Sequence, residues 1–451
     1  MKDCVSVNNT AFFGNNDSET IQNAIAAACK DGCRAIVIPR YNARTDKTEW
    51  RIPACILVPD DFTVYLDNCY MVQETGVFQN MFANSNAFDA EKHDIKYEQK
   101  NIAVIGIGNV VLDGGKHNRS REKIAGRFGL PSNWFNPLFY WYNVNGLRVE
   151  NLNIQHQRYW AMLHVYSRNA VIKNIHFYAL PHVNTMDGID VRVGNNNFHI
   201  ENITGRTGDD IVALNTINQP PEQSRAIAGK SPDIHHIKLK NIKGDPHYCF
   251  CVRILNHDGH KIHDVDIDTI MDTSDYVSKI RSGCALAMGS PIYYWYFHMR
   301  VGDFYNIKVK NISSRSESAF YYNYAMEHCE ISNVHLFGDG NNCFAHGVPG
   351  KFGGCYFNDV KFKHFYYGVD QTDMIGGKKL PAQNYRGTVF EFLKSTGSVE
   401  IEDINVDKAN TVFKVEGGVN VNVKGYHCGE AARQFAVAPD SILTVDGKKI
   451  V

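Results

Sequence analysis

A short phrase returns along the chain: an Asn or Asp, a branched apolar residue, then a short alternating strand. Its instances are Asn101-Ile102, Asn151-Leu152, Asn174-Ile175, Asn202-Ile203, Asn241-Ile242, Asp264-Val265, Asn311-Ile312, Asn333-Val334 and Asp359-Val360. Several gaps match one turn of a solenoid: 151 to 174 is 23 residues, 174 to 202 is 28, 241 to 264 is 23 and 311 to 333 is 22. A repeat of this length, rich in β-branched residues and poor in helical periodicity, is what a parallel β-helix requires, because no coil can bury its own inner face and stacking is obligatory. Asn suits the bends. It tolerates left-handed backbone angles, hydrogen-bonds within its own turn, and forms ladders with its equivalents on neighbouring coils. A leucine-rich repeat has a similar period, but the leucine run it needs is absent. The expected fold is all-β, a right-handed parallel β-helix.

Other patterns flank and interrupt the repeat. Asn16 and Glu19 make a capping-box-like start, and Ile21, Ala24, Ile25 and Ala28 keep helical spacing, which predicts an amphipathic helix from roughly Asp17 to Lys30. Strands are predicted after it over 34–39, 55–59 and 62–66. A helix placed there caps an open strand ladder that would otherwise invite aggregation. Residues 1–33 are therefore expected as a cap and 34–451 as a single β-helical domain. Two stretches are too irregular for coils. Residues 112–137 carry Asp113, His117, Arg119, Arg121, Lys123 and Arg127, and read as a loop over a groove whose charges are either solvated or in contact with ligand. Residues 272–300 hold Tyr293, Tyr294, Trp295, Tyr296 and Phe297, a wall for the same groove or a subunit contact, which leaves a homo-oligomer open. After Lys363, strands over 387–392, 399–402 and 419–423 continue the solenoid and close its end, with no motif attached to chemistry.

Charge narrows the partners. Lys plus Arg is 47 and Asp plus Glu is 48, a formal net charge of -1, so no global field gathers nucleic acid or anionic lipid, and neither is expected as a partner. No apolar run approaches the roughly 18 to 20 residues of a membrane span, and Met1 to Thr10 has no secretory-type apolar segment. This reads as a cytoplasmic chain, or an exported one already trimmed. The 12 cysteines lack metal-like spacing, since Cys249 and Cys251 give half a zinc site at most. They read as reduced, mostly buried small hydrophobes, and no metal or organic cofactor is expected.

The chemistry concentrates between Tyr159 and Thr216. Asn184-Thr-Met-Asp187-Gly-Ile-Asp190 is followed by Gly208-Asp209-Asp210, and Asp187 and Asp209 are 22 residues apart, about one coil. One coil apart means neighbouring strands, whose backbones lie roughly 4.8 Å from each other. Like charges crowded so closely raise one another's pKa and cost stability, which catalysis is a good reason to tolerate. Glycoside hydrolysis needs one carboxylic acid kept protonated for the leaving oxygen and another kept ionised for water or carbon. Asp-Gly and Gly-Asp are also turn residues, or calcium ligands, when met singly. Two such pairs one coil apart favour catalysis.

These residues carry a resemblance. Tyr159-Trp160-Ala-Met-Leu-His164, the Asn-Ile repeats, Asn184 to Asp190, and Gly208-Asp209-Asp210-Ile-Val-Ala-Leu-Asn215 resemble the core of the polygalacturonases, glycoside hydrolase family 28. The resemblance implies a pectin-lyase-like right-handed parallel β-helix and an inverting hydrolase. It implies Asp209 as general acid, with Asp187 and Asp210 positioning and deprotonating the attacking water. Met186 stands before Asp187 where the family reads Asn-Thr-Asp, and because a one-residue shift in a strand reverses a side chain, Asp190 is the substitute candidate. The family's Gly-His-Gly is not found after Asp210. His247 in Asp245-Pro-His-Tyr-Cys is its stand-in, or else is satisfied by nearby backbone. Arg253-Ile-Leu255 resembles the family's Arg-Ile-Lys with leucine for lysine, so Arg253 is a candidate for a substrate hydroxyl or carboxylate, and a neutral or differently charged glycan enters beside pectin. Trp160 and His164 fall on the coil before Asp187, as subsite floor or as core packing. The leading expectation is an inverting glycosidase acting on an oligosaccharide or polysaccharide. A polysaccharide lyase or glycan-rearranging enzyme, and a non-catalytic tailspike-like glycan binder, are the alternatives on the same scaffold.

Overall fold

The structure is a computed structural model that describes residues 4–77, 79–115, 123–124, 127–128, 137–157, 159–179, 186–217, 225–247, 249–256, 259–274, 283–289, 300–314, 318–322, 325–336, 345–347, 355–367 and 388–450. It divides into two compact units, Met1–Asp210 with Gln219–Pro232, and Ile211–Asn218 with Asp233–Val451. Both are built as right-handed parallel β-helix. Among the described residues no helix is long and apolar enough to cross a membrane. Most of the two expected insertions, including His117, Arg119, Arg121 and Tyr293 to Phe297, lies outside the described residues, as do Asn184 and Thr185.

In the first unit each coil contributes to three parallel sheets. The first sheet stacks Ile56–Val58, Phe82–Asn84, Phe139–Tyr142, Met162–Val165 and Ile189–Val191. The second stacks Ala35–Pro39, Phe62–Asp67, Gln99–Ile107 and the opening halves of Val144–Gln155, Arg168–Tyr178 and Asn196–Arg206. The third stacks Trp50–Ile52, Tyr70–Gln73, Val111–Asp113 and the closing halves of those long strands. One inward column of the second sheet runs Ile36, Val64, Val104, Val149, Ile172, Ile200, and each member has 0% of its surface exposed. β-Branched residues fit this pleated interior, and burying each stabilises by roughly 1.5 to 3 kcal/mol.

The recurring Asn and Asp residues are the corners. All nine have left-handed backbone, from φ 51° at Asn101 and Asp359 to 64° at Asn311. They serve two different corners. Asn151, Asn174 and Asn202 join the second sheet to the third, and their side chains form a ladder: Asn174 Nδ2 donates to Asn151 Oδ1 at 2.8 Å, and Asn202 Nδ2 to Asn174 Oδ1 at 2.9 Å. Gly106 stands level with Asn151, where a Cβ would lie 2.0 Å from the Asn151 carbonyl oxygen. Asn101 marks the other corner, at the start of the second sheet. In the second unit the interval from Asn241 to Asp264 is consequently not one coil. Asp264 is level with His236, while Asn241 is level with Thr269, each 28 residues away.

A helix, α1, spans Asp17–Lys30 and buries Ile21, Ala24, Ile25 and Ala28, as the spacing predicts. The Asn16 side chain accepts from Glu19 N at 2.9 Å, whereas the Glu19 carboxylate reaches Asn15 N at 2.8 Å, one residue beyond the usual capping-box partner. In the second unit the long strands Tyr356–Tyr367, Thr396–Val415 and Val419–Val437 continue the ladder, which ends in an antiparallel pair, Ile442–Val445 with Lys448–Ile450. None of the described cysteines is in a disulfide.

Candidate functional site

The first sheet of the first unit decides which side chains face outward. Its register aligns Phe139, Met162 and Ile189, then Tyr140, Leu163 and Asp190, then Trp141, His164 and Val191. Side chains alternate, so the middle row faces away from the core that the outer two fill. His164 accordingly points inward with 0% exposure, its ring edge-on to Phe198 at 5.3 Å. Neither ring nitrogen has a hydrogen-bond partner, and burial pushes the pKa down to about 3. His164 is a neutral core residue, the core-packing side of the two readings that the sequence left open.

Asp190 lies in the outward row and is 1% exposed. Asp187 precedes the strand in a segment held on both sides by backbone. Ala161 N donates to the Asp187 carbonyl at 2.9 Å on one side. On the other, Gly208 N donates to Met186 O at 2.9 Å and Gly188 N to Asp210 O at 2.8 Å. Both of the latter contacts join residues 22 apart, so Asp187 is level with Asp209 on the next coil. The insertion of Met186 is absorbed here, since that side chain is fully buried and Asp187 keeps its offset.

Asp209 is half-buried and Asp210 is 1% exposed, with carboxylate oxygens within 4.8 Å of each other. Thr207 Oγ1 donates to the Asp209 carbonyl at 2.6 Å, and Asp209 Oδ1 accepts from Asp210 N at 3.1 Å, which fixes the turn that presents them. The neighbouring Tyr159 hydroxyl records the combined field. Its pKa is raised first by burial and then by Asp187, with Asp190 and Asp209 adding and Arg192 opposing. Acids from two coils therefore act on one phenol.

Arg192 is the residue that sequence reasoning missed. It is 3% exposed, and its guanidinium carbon lies 4.8 Å from the Trp160 ring centroid. The available signal was alternation, because Arg192 is two residues after Asp190 on the same strand face. Trp160 is 9% exposed, with Tyr159 against it at 4.6 Å, so its ring is packed mainly by protein. Tyr140, Tyr142, Leu163 and Ile227 form an apolar cluster with the two rings, and Arg225 pins it by accepting from Tyr142 Oη through its carbonyl at 2.8 Å and donating to Ala87 O at 2.9 Å.

His247 and Arg253 belong to the second unit. His247 is 3% exposed in a left-handed turn, φ 33°, where its backbone N donates to Asp245 Oδ1 at 3.2 Å. Arg253 is half-buried in a row with Ala213, Ala287 and Tyr321, between the inward Val252 and Ile254, and its guanidinium lies 5.4 Å from the Phe250 ring centroid.

No protein-family profile and no curated protein sequence matches the chain. Solved structures do. The chain is similar to a hyperthermoactive exopolygalacturonase from Thermotoga maritima, at 12% identity and a TM-score of 0.50 over 99% of this chain and 92% of that one. It is similar to PfbA, a surface adhesin of Streptococcus pneumoniae, at 13% identity and 0.53 over 97% and 92%. A Family 28 exopolygalacturonase from Yersinia enterocolitica also matches, at 11% identity and 0.44 over 98% and 77%. The expected polygalacturonase-like, pectin-lyase-like β-helix is the fold of this chain. An enzyme and an adhesin share that fold, so activity has to be argued from the site.

Proposed function

We propose that the protein is a carbohydrate-active enzyme, an inverting glycoside hydrolase whose acids are Asp187, Asp209 and Asp210. The observation that carries the reading is the level pairing of Asp187 with Asp209 across one coil, with Asp210 beside it. Asp209, half-buried, is the general acid that protonates the leaving oxygen, because it alone of the three reaches solvent appreciably. Asp187 and Asp210 hold and deprotonate the attacking water on the other side of the sugar. Asp190 and Arg192 share this neighbourhood, since both act on the same Tyr159 hydroxyl as Asp187 and Asp209. The substrate is an oligosaccharide or polysaccharide. Leu255 in place of a second cation near Arg253 supports a glycan other than plain polygalacturonate.

The test is a panel of defined oligosaccharides incubated with the parent protein and with Asp209→Asn, with products and their anomeric configuration followed by NMR. General-acid removal should lower turnover by at least about a hundredfold with an unchanged circular dichroism melt, and the parent should release the inverted anomer first. Parent-level cleavage by Asp209→Asn sinks the assignment. Intact recovery of a glycan that binds the parent favours the adhesin-like reading.

A further inference from the structure

In the coils of the first unit that precede the acids, the outward rows of the first sheet are Ala83, Tyr140 and Leu163, leading to Asp190, and Tyr142 beside Val165. Left open, such tyrosine and aliphatic rows would suit the apolar faces of sugar rings. Instead Ala83, Tyr140, Leu163, Tyr142 and Val165 are each at most 1% exposed, because two segments of the chain lie over them. From the first segment, Phe88 packs on Tyr140 at 5.6 Å and His93 on Tyr142 at 4.7 Å. From the second, Ile227 joins the same apolar cluster, and the Arg225 guanidinium lies 5.9 Å from the Tyr140 ring centroid. Arg225 ties the two segments together, donating from Nη1 to Ala87 O at 2.9 Å and to His93 Nε2 at 3.1 Å. The second segment is pinned coil by coil. Tyr142 Oη donates to Arg225 O at 2.8 Å, Lys230 Nζ donates to Glu98 Oε2 at 2.7 Å, Asn143 Oδ1 at 2.6 Å and Tyr166 O at 3.1 Å, and Gly194 N donates to Pro232 O at 2.8 Å.

We propose that this strap, residues 225–232, closes the sugar groove on the N-terminal side of the acids, so that a glycan enters by a chain end and the enzyme is exo-acting, trimming one terminus. The proposal rests on the glycosidase reading and adds to it which bond is cut. Cutting an internal bond needs sugars bound on both sides of the acids along the stacked coils. On the N-terminal side, the next position in the row from Asp190 is the fully buried Leu163, and the space near it is taken by Trp160 with Arg192 over its ring at 4.8 Å. A sugar placed there has to lift the strap, against the charge-assisted hydrogen bonds of Lys230 and Arg225. The chemistry is ordinary hydrolysis at the terminal linkage. The glycosidic C–O bond breaks, a water oxygen bonds to the anomeric carbon, Asp209 gives its proton to the leaving oxygen and a basic carboxylate takes the proton of the water. The competing explanation is that the strap merely buries an apolar patch while the glycan crosses the acids at an angle to the coils.

The experiment takes defined oligosaccharides in three versions, unblocked, with a bulky group on the non-reducing terminus, and with the same group on the reducing terminus, and follows products by chromatography with mass spectrometry. From unblocked chains the parent should release one short product and the chain shortened by it, without internal fragments early in the reaction. One of the two blocking groups should slow cleavage by about a hundredfold or more while the other has little effect, because a blocked end that meets the strap cannot reach the acids in register. Internal fragments from the start, or equal rates on the two blocked versions, overturn the proposal and leave the glycosidase reading standing. No cleavage of any unblocked chain overturns both. Arg225→Ala combined with Ile227→Ala, its fold checked by circular dichroism, loosens the strap while keeping the Arg225 carbonyl that Tyr142 bonds. It should narrow the difference between the two blocked versions by about tenfold. An unchanged difference in the folded variant overturns the role given to the strap.

Discussion

His164 has lost its water, and that loss carries a pH dependence. Folded, it stays neutral down to about pH 3, while in the unfolded chain an ordinary imidazole takes up a proton near 6.5. Between those values the unfolded state binds more protons, so stability is full above about pH 6.5 and falls as the pH drops towards 3, by about 1.4 kcal/mol per unit. Replacing His164 with Leu removes this contribution and also removes two ring nitrogens that have no partner. Urea unfolding at pH 7 and pH 5 should show the parent losing about 2 kcal/mol more than His164→Leu. Equal losses in the two proteins would mean that the ring is hydrated. Asp209 is the opposite case: it sits half in water on the turn that the Thr207 hydroxyl and the Asp210 amide fix.

Corners are the elements on which the stacking depends. Asn174 adopts φ 56° and both donates to Asn151 and accepts from Asn202. Alanine there keeps neither hydrogen bond and must hold a left-handed backbone that costs a non-glycine residue roughly 1 to 2 kcal/mol. Glycine adopts that backbone readily and loses only the ladder. Asn174→Ala should therefore destabilise by about 2 kcal/mol and Asn174→Gly by about 1 kcal/mol in denaturant titrations. The reverse order would show that the ladder, not the backbone angle, governs the corner. Steric closeness imposes a separate demand at Gly106, where the Asn151 carbonyl leaves no room for a Cβ.

For the molecule as a whole, a β-helix must end without presenting a bare strand ladder. At the N-terminal coil α1 lays Ile21, Ala24, Ile25 and Ala28 against the strands, and its opposite face is exposed at Asn23 and Ala26. A charge at Ile25 should lift this cover, because burying an unpaired carboxylate is far more costly than hydrating it. Light scattering should find Ile25→Asp in larger species than the parent, while Ala26→Asp on the exposed face keeps the parent's mass. Identical behaviour of the two variants would mean that α1 is not what protects the ladder. In the second unit the antiparallel pair Ile442–Val445 with Lys448–Ile450 ends the parallel pairing.

What the sequence determined by itself is local. Asn and Asp before a branched residue marked left-handed corners at all nine positions, helical spacing marked α1, and the 22 residues between Asp187 and Asp209 marked neighbouring coils. Each depends on the chemistry of a few adjacent residues or on one coil length. Tertiary structure decided the rest: that the nine corners are of two kinds, that His164 faces the core, that Arg192 covers Trp160, and that His236 shares a corner with Asp264. The reason is register. A side chain's face reverses with every residue of offset, and the offset at any coil is the sum of all the loops before it.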